Sequence, residues 1–327
     1  MLNRSTDLRI AILLLSLAFV GRAAAQSALE SLPDPYTKTI ERWAKLPEGR
    51  VWGSAAGISV DSKGDIWIFE RCSANSCAGS DEAPILEFDP SGRLLTSFGA
   101  GMFVFPHSLF VDKDDNIWVS DATGQDGKGQ QVIEFSPQGK ILLTLGKAGV
   151  AGDGPDTFNR PSGVVVAQDG SIFVADGHGG DSNARIVKFS KDGKFIKSWG
   201  KKGTGPGEFG ELHAIAIDSK GRLYVADRGN KRIQIFDQDG NFIDQWTQFG
   251  RPSGIYVDKK GVIYVARIQD GIMIGSATDG KLTALIPPPP QDPGHGGQGS
   301  EGVVADADGN VYGAEVNRKM VTKYLKQ

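Results

Sequence analysis

The stretch LHAIAIDSKGRLYVADRGNKRIQIFDQDGNFIDQW, residues 212–246, contains four runs of β-branched and aromatic residues separated by short polar turns. The first two runs flank DSKG and the last two flank DQDG. Apolar runs separated by tight turns of this kind predict antiparallel β-hairpins. A single four-stranded unit cannot cover its own apolar faces, so it requires neighbouring copies of itself.

Five further copies of the first hairpin occur along the chain: GISVDSKGDIWIFE, SLFVDKDDNIWVSD, GVVVAQDGSIFVAD, GIYVDKKGVIYVAR and GVVADADGNVYGAE. Equivalent positions are 51, 55, 51, 40 and 48 residues apart. Four strands per unit at this spacing predict an all-β fold, a six-bladed β-propeller of four-stranded blades. The equivalent turn positions are Asp61, Asp112, Ala167, Asp218, Asp258 and Asp306.

The sixth unit ends at Gln327 before a fourth strand. The segment KTIERWAKLPEG (38–49) matches GKFIKSWGKKGTG (193–205), which aligns Trp43 with Trp199, and Trp246 holds the same place in another unit. We therefore expect an N-terminal strand to complete the last blade, since ring closure removes an open sheet edge. The tryptophans are interpreted as core residues between blades.

Residues 1–25 have the features of a secretory signal peptide: Arg4 and Arg9, an apolar run over 10–20 and three alanines at 23–25. The alternative is a retained membrane anchor, but the apolar run is short for a transmembrane helix. The prediction is a signal peptide followed by one propeller domain over 26–327, without a transmembrane segment. The protein would be periplasmic or secreted.

Charge and cysteine content limit the classes of partner and metal that the protein could bind. The formal net charge of −3 gives no basic excess, which argues against a nucleic-acid partner and favours a small-molecule or peptide substrate. The two cysteines, Cys72 and Cys77, share one loop. In an exported protein they would form a disulfide or remain two free thiols, and they are too few to bind zinc alone.

The position before each predicted first strand faces the propeller axis. Three of these residues are small and three are metal-ligand types, and the two kinds alternate around the ring. Alternate blades of a six-bladed ring are 120° apart, so three such ligands converge on the axis, and two histidines with a carboxylate suit zinc or non-haem iron. Alternatively, the histidines cap strands and the glutamate is solvated. In blade order the residues are Ala56, His107, Ser162, His213, Ser253 and Glu301.

The motifs ADRGNKRIQIFDQDGNFI and LHAIAIDSKGRLYV resemble NHL repeats. GKAGVAGDGPDTFNRPSGVVVAQDGSIFVADG and WGKKGTGPGEFGELHAIAIDSKGRLYVADR are similar to peptidyl-α-hydroxyglycine α-amidating lyases. The resemblance implies an axial zinc held by three histidines, of which His107 in PHS and His213 in LHA are present. Glu301 in SEG stands in place of the third.

The same resemblance implies that Arg71 and Arg228 engage a substrate carboxylate, although ADRxNxRI is also common in NHL repeats that are not enzymes. His178 stands where the family has a tyrosine proposed as the base, and it would act as a base near neutral pH or be a loop residue of a chain that has lost the activity. A channel calcium would use the carbonyls of Ile58 and Leu109, but Gly302 replaces its aspartate, which puts calcium in doubt. The loop 286–299 is interpreted as a mobile surface loop, or as a lid from which His295 reaches the metal.

These observations predict an exported metal-dependent lyase, in which the metal lowers the pKa of a substrate hydroxyl. The resemblance implies cleavage of a peptidyl-α-hydroxyglycine, or a similar hydroxylated acid, to an amide and glyoxylate. One alternative is a non-catalytic NHL propeller that binds a protein or glycan in the cell envelope. Another is a calcium-dependent lactonase, against which the histidine pair argues.

Overall fold

In the computed structural model, residues 31–290 and 299–327 are described. The predicted signal peptide, residues 1–25, lies outside these ranges, as does His295 with most of the loop 286–299. Within the described ranges every regular element is a β-strand, and no helix is long and apolar enough to cross a membrane.

The strands form six four-stranded antiparallel sheets, which confirms the predicted six-bladed propeller. Blades 1 to 3 follow each other directly in the chain. Their strands are Ala55–Val60, Ile66–Glu70, Ile85–Phe88 and Leu94–Phe98; then Pro106–Val111, Ile117–Gln125, Lys128–Phe135 and Ile141–Leu145; then Pro161–Val166, Ile172–Asp176, Arg185–Phe189 and Phe195–Trp199.

Blades 4 and 5 continue the pattern, after a short parallel pair formed by Lys201–Lys202 and Glu208–Phe209. Their strands are Leu212–Ile217, Leu223–Asp227, Arg232–Phe236 and Phe242–Trp246; then Gly254–Val257, Val262–Arg267, Gly271–Ser276 and Leu282–Ile286.

Blade 6 joins the two ends of the described chain. Its first three strands are Gly302–Ala305, Val311–Glu315 and Met320–Leu325, and the N-terminal strand Lys38–Ile40 is the fourth. Lys38 pairs with Leu325 in antiparallel register. The predicted closure of the ring is therefore confirmed, because blade 6 takes its outermost strand from the N-terminal part of the described chain and its other three strands from the C-terminal part.

The repeated aspartate folds the turn between the first two strands. In blade 4, Asp218 Oδ1 accepts the backbone N–H groups of Lys220 and Arg222, each at 2.9 Å. Gly221 has φ +78°, which favours glycine because a Cβ is strained there. Asp218 Oδ2 accepts the hydroxyl of Tyr224 at 3.1 Å. The carboxylate thus ties the turn to an aromatic residue of the second strand.

Apolar layers lie between neighbouring blades. Trp43 is 3% exposed and packs edge-on against Tyr312, with ring centroids 4.9 Å apart. Trp199 and Trp246 each lie under a turn glycine of the following blade, where an added Cβ would be 2.7 Å from the indole of Trp199 and 2.6 Å from that of Trp246. The recurring tryptophans are therefore core residues between blades, as predicted.

Candidate metal centre

The backbone turns two histidines toward the propeller axis. His107 and His213 are the second residues of their first strands, not the residues before them as the sequence suggested. Each lies at a register shift, where Pro106 pairs with Asp121 and Leu212 with Asp227 before regular pairing resumes at the residue after the histidine. A β-bulge of this kind re-aims one side chain away from the alternation of the strand.

Backbone carbonyls of neighbouring blades orient both imidazoles. His107 Nδ1 lies 2.8 Å from the carbonyl oxygen of Ser162, and His213 Nδ1 lies 3.0 Å from that of Ser253. Because a carbonyl only accepts, Nδ1 carries the proton and Nε2 carries the lone pair in each ring. Both Nε2 atoms are buried and, among the described residues, have no hydrogen-bond partner. Unsatisfied buried acceptors of this kind require an explanation, such as an ion.

Glu301 reaches the same point from blade 6. Its Oε1 lies 3.8 Å from His107 Nε2 and 3.9 Å from His213 Nε2. The same oxygen lies 3.5 Å from a guanidinium nitrogen of Arg71, and the Glu301 side chain is 9% exposed. The three residues predicted from alternate blades thus converge on the axis, with their ligand atoms facing one another.

His178 joins this cluster from the loop after the second strand of blade 3. Its ring centroid is 4.4 Å from that of His107 and 5.0 Å from that of His213. Each of the three histidines offers a nitrogen, and the three nitrogens all lie within 4.8 Å of one another. From the sequence, His178 was expected to act as a base or to be a loop residue without a catalytic role.

The histidines are held in the neutral form. Burial lowers the pKa of His107 and His213 well below the usual value, and the positive charge of Arg228 adds to this effect. Burial, followed by the charge of Arg228, lowers the pKa of His178 to about 4. Neutral imidazole is the form that binds metals, so a cation can enter at neutral pH without displacing protons from these rings.

This donor set fits a divalent metal. A zinc–nitrogen bond is about 2.1 Å long, so two ligands of one tetrahedral ion lie roughly 3.4 Å apart. The 3.8 and 3.9 Å separations from Glu301 differ from that value by about half an ångström. Imidazole and carboxylate donors suit zinc and iron. His107 and His213, together with Glu301 or with His178, could therefore hold either ion after small side-chain movements.

Arg71 is built into the wall of this cluster. Its Nε donates to the carbonyl of Pro106 at 2.9 Å and a terminal nitrogen donates to Asn75 Oδ1 at 2.6 Å. The guanidinium carbon lies 3.9 Å from the centroid of the Phe105 ring. Burial lowers the pKa of Arg71, while the charge of Glu301 opposes that shift. Arg71 thus supports Glu301 from a buried position beside the histidines.

The loop that carries Arg71 is closed by a disulfide between Cys72 and Cys77. Cys77 N donates to the carbonyl of Val104 at 2.9 Å, which ties the loop to the segment before His107. The disulfide therefore holds the Arg71 loop close to the metal cluster.

Arg228 lies on the same face and pairs with Glu211, a residue that the sequence reasoning missed. A terminal nitrogen of Arg228 donates to Glu211 Oε1 at 2.5 Å, and Arg251 approaches the other carboxylate oxygen at 3.9 Å. Arg228 Nε is buried without a partner in the described part of the chain. The sequence feature that could have indicated this ion pair is the glutamate two residues before His213.

A channel of about 860 Å³ runs along the axis from the cluster toward the opposite face. Ile58 and Leu109 line it, as expected for the predicted calcium position. A Cβ at Gly302 would lie 2.4 Å from the carbonyl oxygen of Ala56, so the backbone leaves no room for a side chain where the family's aspartate would stand. The structure therefore supplies no carboxylate at residue 302 for calcium.

Comparisons with known proteins agree with the fold. The family model DUF5128, described as a 6-bladed beta-propeller, matches residues 156–247. NHL repeat-containing protein 3 of Mus musculus is 29% identical over 320 residues, covering 90% of this chain and 85% of that protein. Streptogramin B lyase (TM-score 0.60, 17% identity, 90% of this chain and 100% of that one) and a Xanthomonas campestris gluconolactonase (0.60, 16%, 87% and 88%) share the fold alone.

The amidating enzymes match a shorter part of the chain. Peptidyl-glycine alpha-amidating monooxygenase of Mus musculus is 36% identical over 206 residues, and peptidyl-alpha-hydroxyglycine alpha-amidating lyase 1 of Drosophila melanogaster is 32% identical over 212. Each match covers 56% of this chain, but only 20% of the first protein and 37% of the second. The chain is therefore a six-bladed β-propeller that is similar to an NHL repeat-containing protein over most of its length and to the amidating enzymes over about half of it.

Proposed function

We propose that this protein is an exported, metal-dependent lyase that cleaves a peptidyl-α-hydroxyglycine or a similar hydroxylated acid. The observation that carries the proposal is the axial cluster. Two buried Nε2 atoms lack partners among the described residues, and a buried carboxylate lies 3.8 and 3.9 Å from them. Similarity to the amidating enzymes over 56% of the chain supports the reaction class.

The residues of the site would have different roles in the reaction. A divalent cation held by His107, His213 and Glu301 would supply Lewis-acid polarisation of a substrate hydroxyl. Arg71 and Arg228 follow the second strands of blades 1 and 4 and are close enough to lower the pKa of His178, and they would bind the substrate carboxylate. His178, the base predicted from the sequence, lies beside them within the cluster.

The reaction requires no oxidant. The hydroxyl loses its proton, its oxygen forms a C=O bond, and the C–N bond to the peptide breaks. The leaving nitrogen takes a proton and becomes the peptide amide, while the acid fragment leaves as glyoxylate. The protein must therefore orient the carboxylate, accept one proton and return one, which are tasks for buried, positioned side chains.

Metal analysis tests the site. We expect the purified wild-type protein, incubated with zinc or iron, to retain about one ion per chain, and His107→Ala and Glu301→Ala to lose it. Ser253→Ala is the matched control, because Ser253 has the equivalent register in another blade and contacts His213 only through its carbonyl. Glyoxylate release from an α-hydroxyglycine peptide then tests the reaction. A wild-type protein that binds neither ion contradicts the proposal.

Export is part of the proposal. The features of residues 1–25 and a disulfide in the Arg71 loop both suit an oxidising compartment. Cell fractionation with N-terminal sequencing should recover a chain that begins near residue 26 outside the cytoplasm. Recovery of an uncleaved cytoplasmic chain would contradict export.

A non-catalytic NHL propeller that binds a partner in the cell envelope is the second candidate. The similarity to NHL repeat-containing protein 3 over 90% of the chain favours it. So do the departures at Glu301 and His178 from the residues of the lyase family. This candidate predicts that the wild-type protein retains no metal, that zinc does not change its stability, and that Glu301→Ala is tolerated.

A further inference from the structure

The loop 177–180, sequence GHGG, projects His178 into the axial cluster. The backbone N–H of His178 donates to the carbonyl of Arg160 at 3.0 Å, and the carbonyl of Gly177 accepts the N–H of Leu212 at 3.2 Å. Leu212 directly precedes His213, so the loop is hydrogen-bonded to the strand that carries one of the metal-ligand candidates. Gly179 and Gly180 have φ of +62° and +57°, a conformation that turns the chain back directly after His178.

We propose that His178 is a metal ligand, which completes a set of three imidazoles with His107 and His213 and leaves Glu301 as the fourth protein donor. This inference rests on the proposed metal site and changes the role of one residue within it. The position of His178 supports this role. The nitrogens of the three histidines lie within 4.8 Å of one another, and the ring centroids of His178 and His107 are 4.4 Å apart in an edge-to-face arrangement.

The two roles considered for the His178 ring exclude each other. Its position beside His107 and His213 favours ligation, because its nitrogen lies within 4.8 Å of theirs. A neutral imidazole has one lone pair on its ring nitrogens. If that lone pair binds a metal, it cannot also accept the substrate proton. The base predicted from the sequence is therefore replaced by a ligand.

Glu301 lies beside the three imidazoles. Its Oε1 is 3.8 Å from His107 Nε2, 3.9 Å from His213 Nε2 and 3.5 Å from a terminal nitrogen of Arg71. The four donors carry one negative charge in total, which Arg71 offsets before any metal binds.

The experiment compares metal binding by full-length wild-type protein and by His178→Phe, with Co²⁺ and Zn²⁺ as probes. We expect His178→Phe to weaken Zn²⁺ binding by more than a hundredfold in chelator competition, beyond the 10–100-fold typical of groups that only support a ligand. We also expect the visible absorption spectrum of the Co²⁺-loaded protein to change. Asp181→Ala, in the same exposed loop, is the matched control and should leave both readouts unchanged.

A second variant distinguishes the loss of a metal ligand from a folding defect. In His178→Ala, free imidazole should enter the space of the lost ring and restore the Co²⁺ spectrum, with tryptophan fluorescence as the check on folding. Unchanged Zn²⁺ affinity and Co²⁺ spectrum in both variants would overturn the ligand role of His178 while leaving the proposed function intact. Failure of the wild-type protein to bind either ion would overturn both.

Discussion

Replacing Asp227 with alanine should strongly destabilise the propeller. Asp227 ends the second strand of blade 4 and is fully buried. Its carboxylate accepts bonds from Gly210 N, Asn230 Nδ2 and Arg232 Nε, each at 2.8 Å. Asp121 and Asp176 are its equivalents, since each pairs with the first residue of the first strand in its own blade as Asp227 pairs with Leu212.

The magnitude follows from what the substitution leaves behind. Removing one partner of a buried ion pair typically costs about 3–5 kcal/mol, since the remaining charge stays buried. Arg232 keeps its bonds to the carbonyls of Thr204 and Gly205, so we expect the lower end, about 3 kcal/mol. Asp227→Asn keeps one acceptor oxygen and loses the charge, and should cost about 1–2 kcal/mol.

Urea unfolding followed by tryptophan fluorescence measures the free energy of unfolding of each variant. The control is Arg93→Ala, which removes an ion pair with Asp89 from a side chain that is 73% exposed. Exposed pairs contribute little, so its midpoint should stay near that of the wild type. If Asp227→Ala shifts the midpoint no further than Arg93→Ala, the reasoning from buried charge is refuted.

Three further outcomes are expected. Burial raises the pKa of Asp121 from 3.8 to about 6, so the native state binds this proton more tightly and stability should fall by up to about 3 kcal/mol as pH rises from about 4 to 6. Urea midpoints should show less of this loss in Asp121→Asn. Trp43→Ala should cost about 3–5 kcal/mol in the same assay, because it empties a buried site against Tyr312, whereas Val51→Ala at a 64% exposed position should change little. The double variant Cys72→Ala, Cys77→Ala should lose about 2 kcal/mol, since the disulfide closes a short loop. Reductant should then affect the wild type and not the variant, and equal sensitivity of both would contradict the disulfide.

Local pattern was enough to predict the architecture. A turn aspartate such as Asp218 accepts hydrogen bonds from residues two, four and six positions later, so its role can be recognised within a short stretch of sequence. Trp43 could be placed in the last blade because it repeats the position of Trp199. The strand bounds around His107 and His213 were off by one or two residues, because a β-bulge adds a residue that a two-residue period does not reveal.

The sequence by itself determined the ring and the register that brings His107, His213 and Glu301 to one axis. Residues at the same position of each repeat are related by the rotation that relates the blades, so they lie at the same height around the axis. Only the tertiary structure decided the rest of the site. Arg71 and Glu301 are 230 residues apart in the chain and meet only because the ring closes. The loop bearing His178 has no repeat partner, and its direction depends on hydrogen bonds to Arg160 and Leu212 on neighbouring segments. Contacts of that kind do not recur along the chain, so residue spacing could not have placed His178 beside His107 and His213.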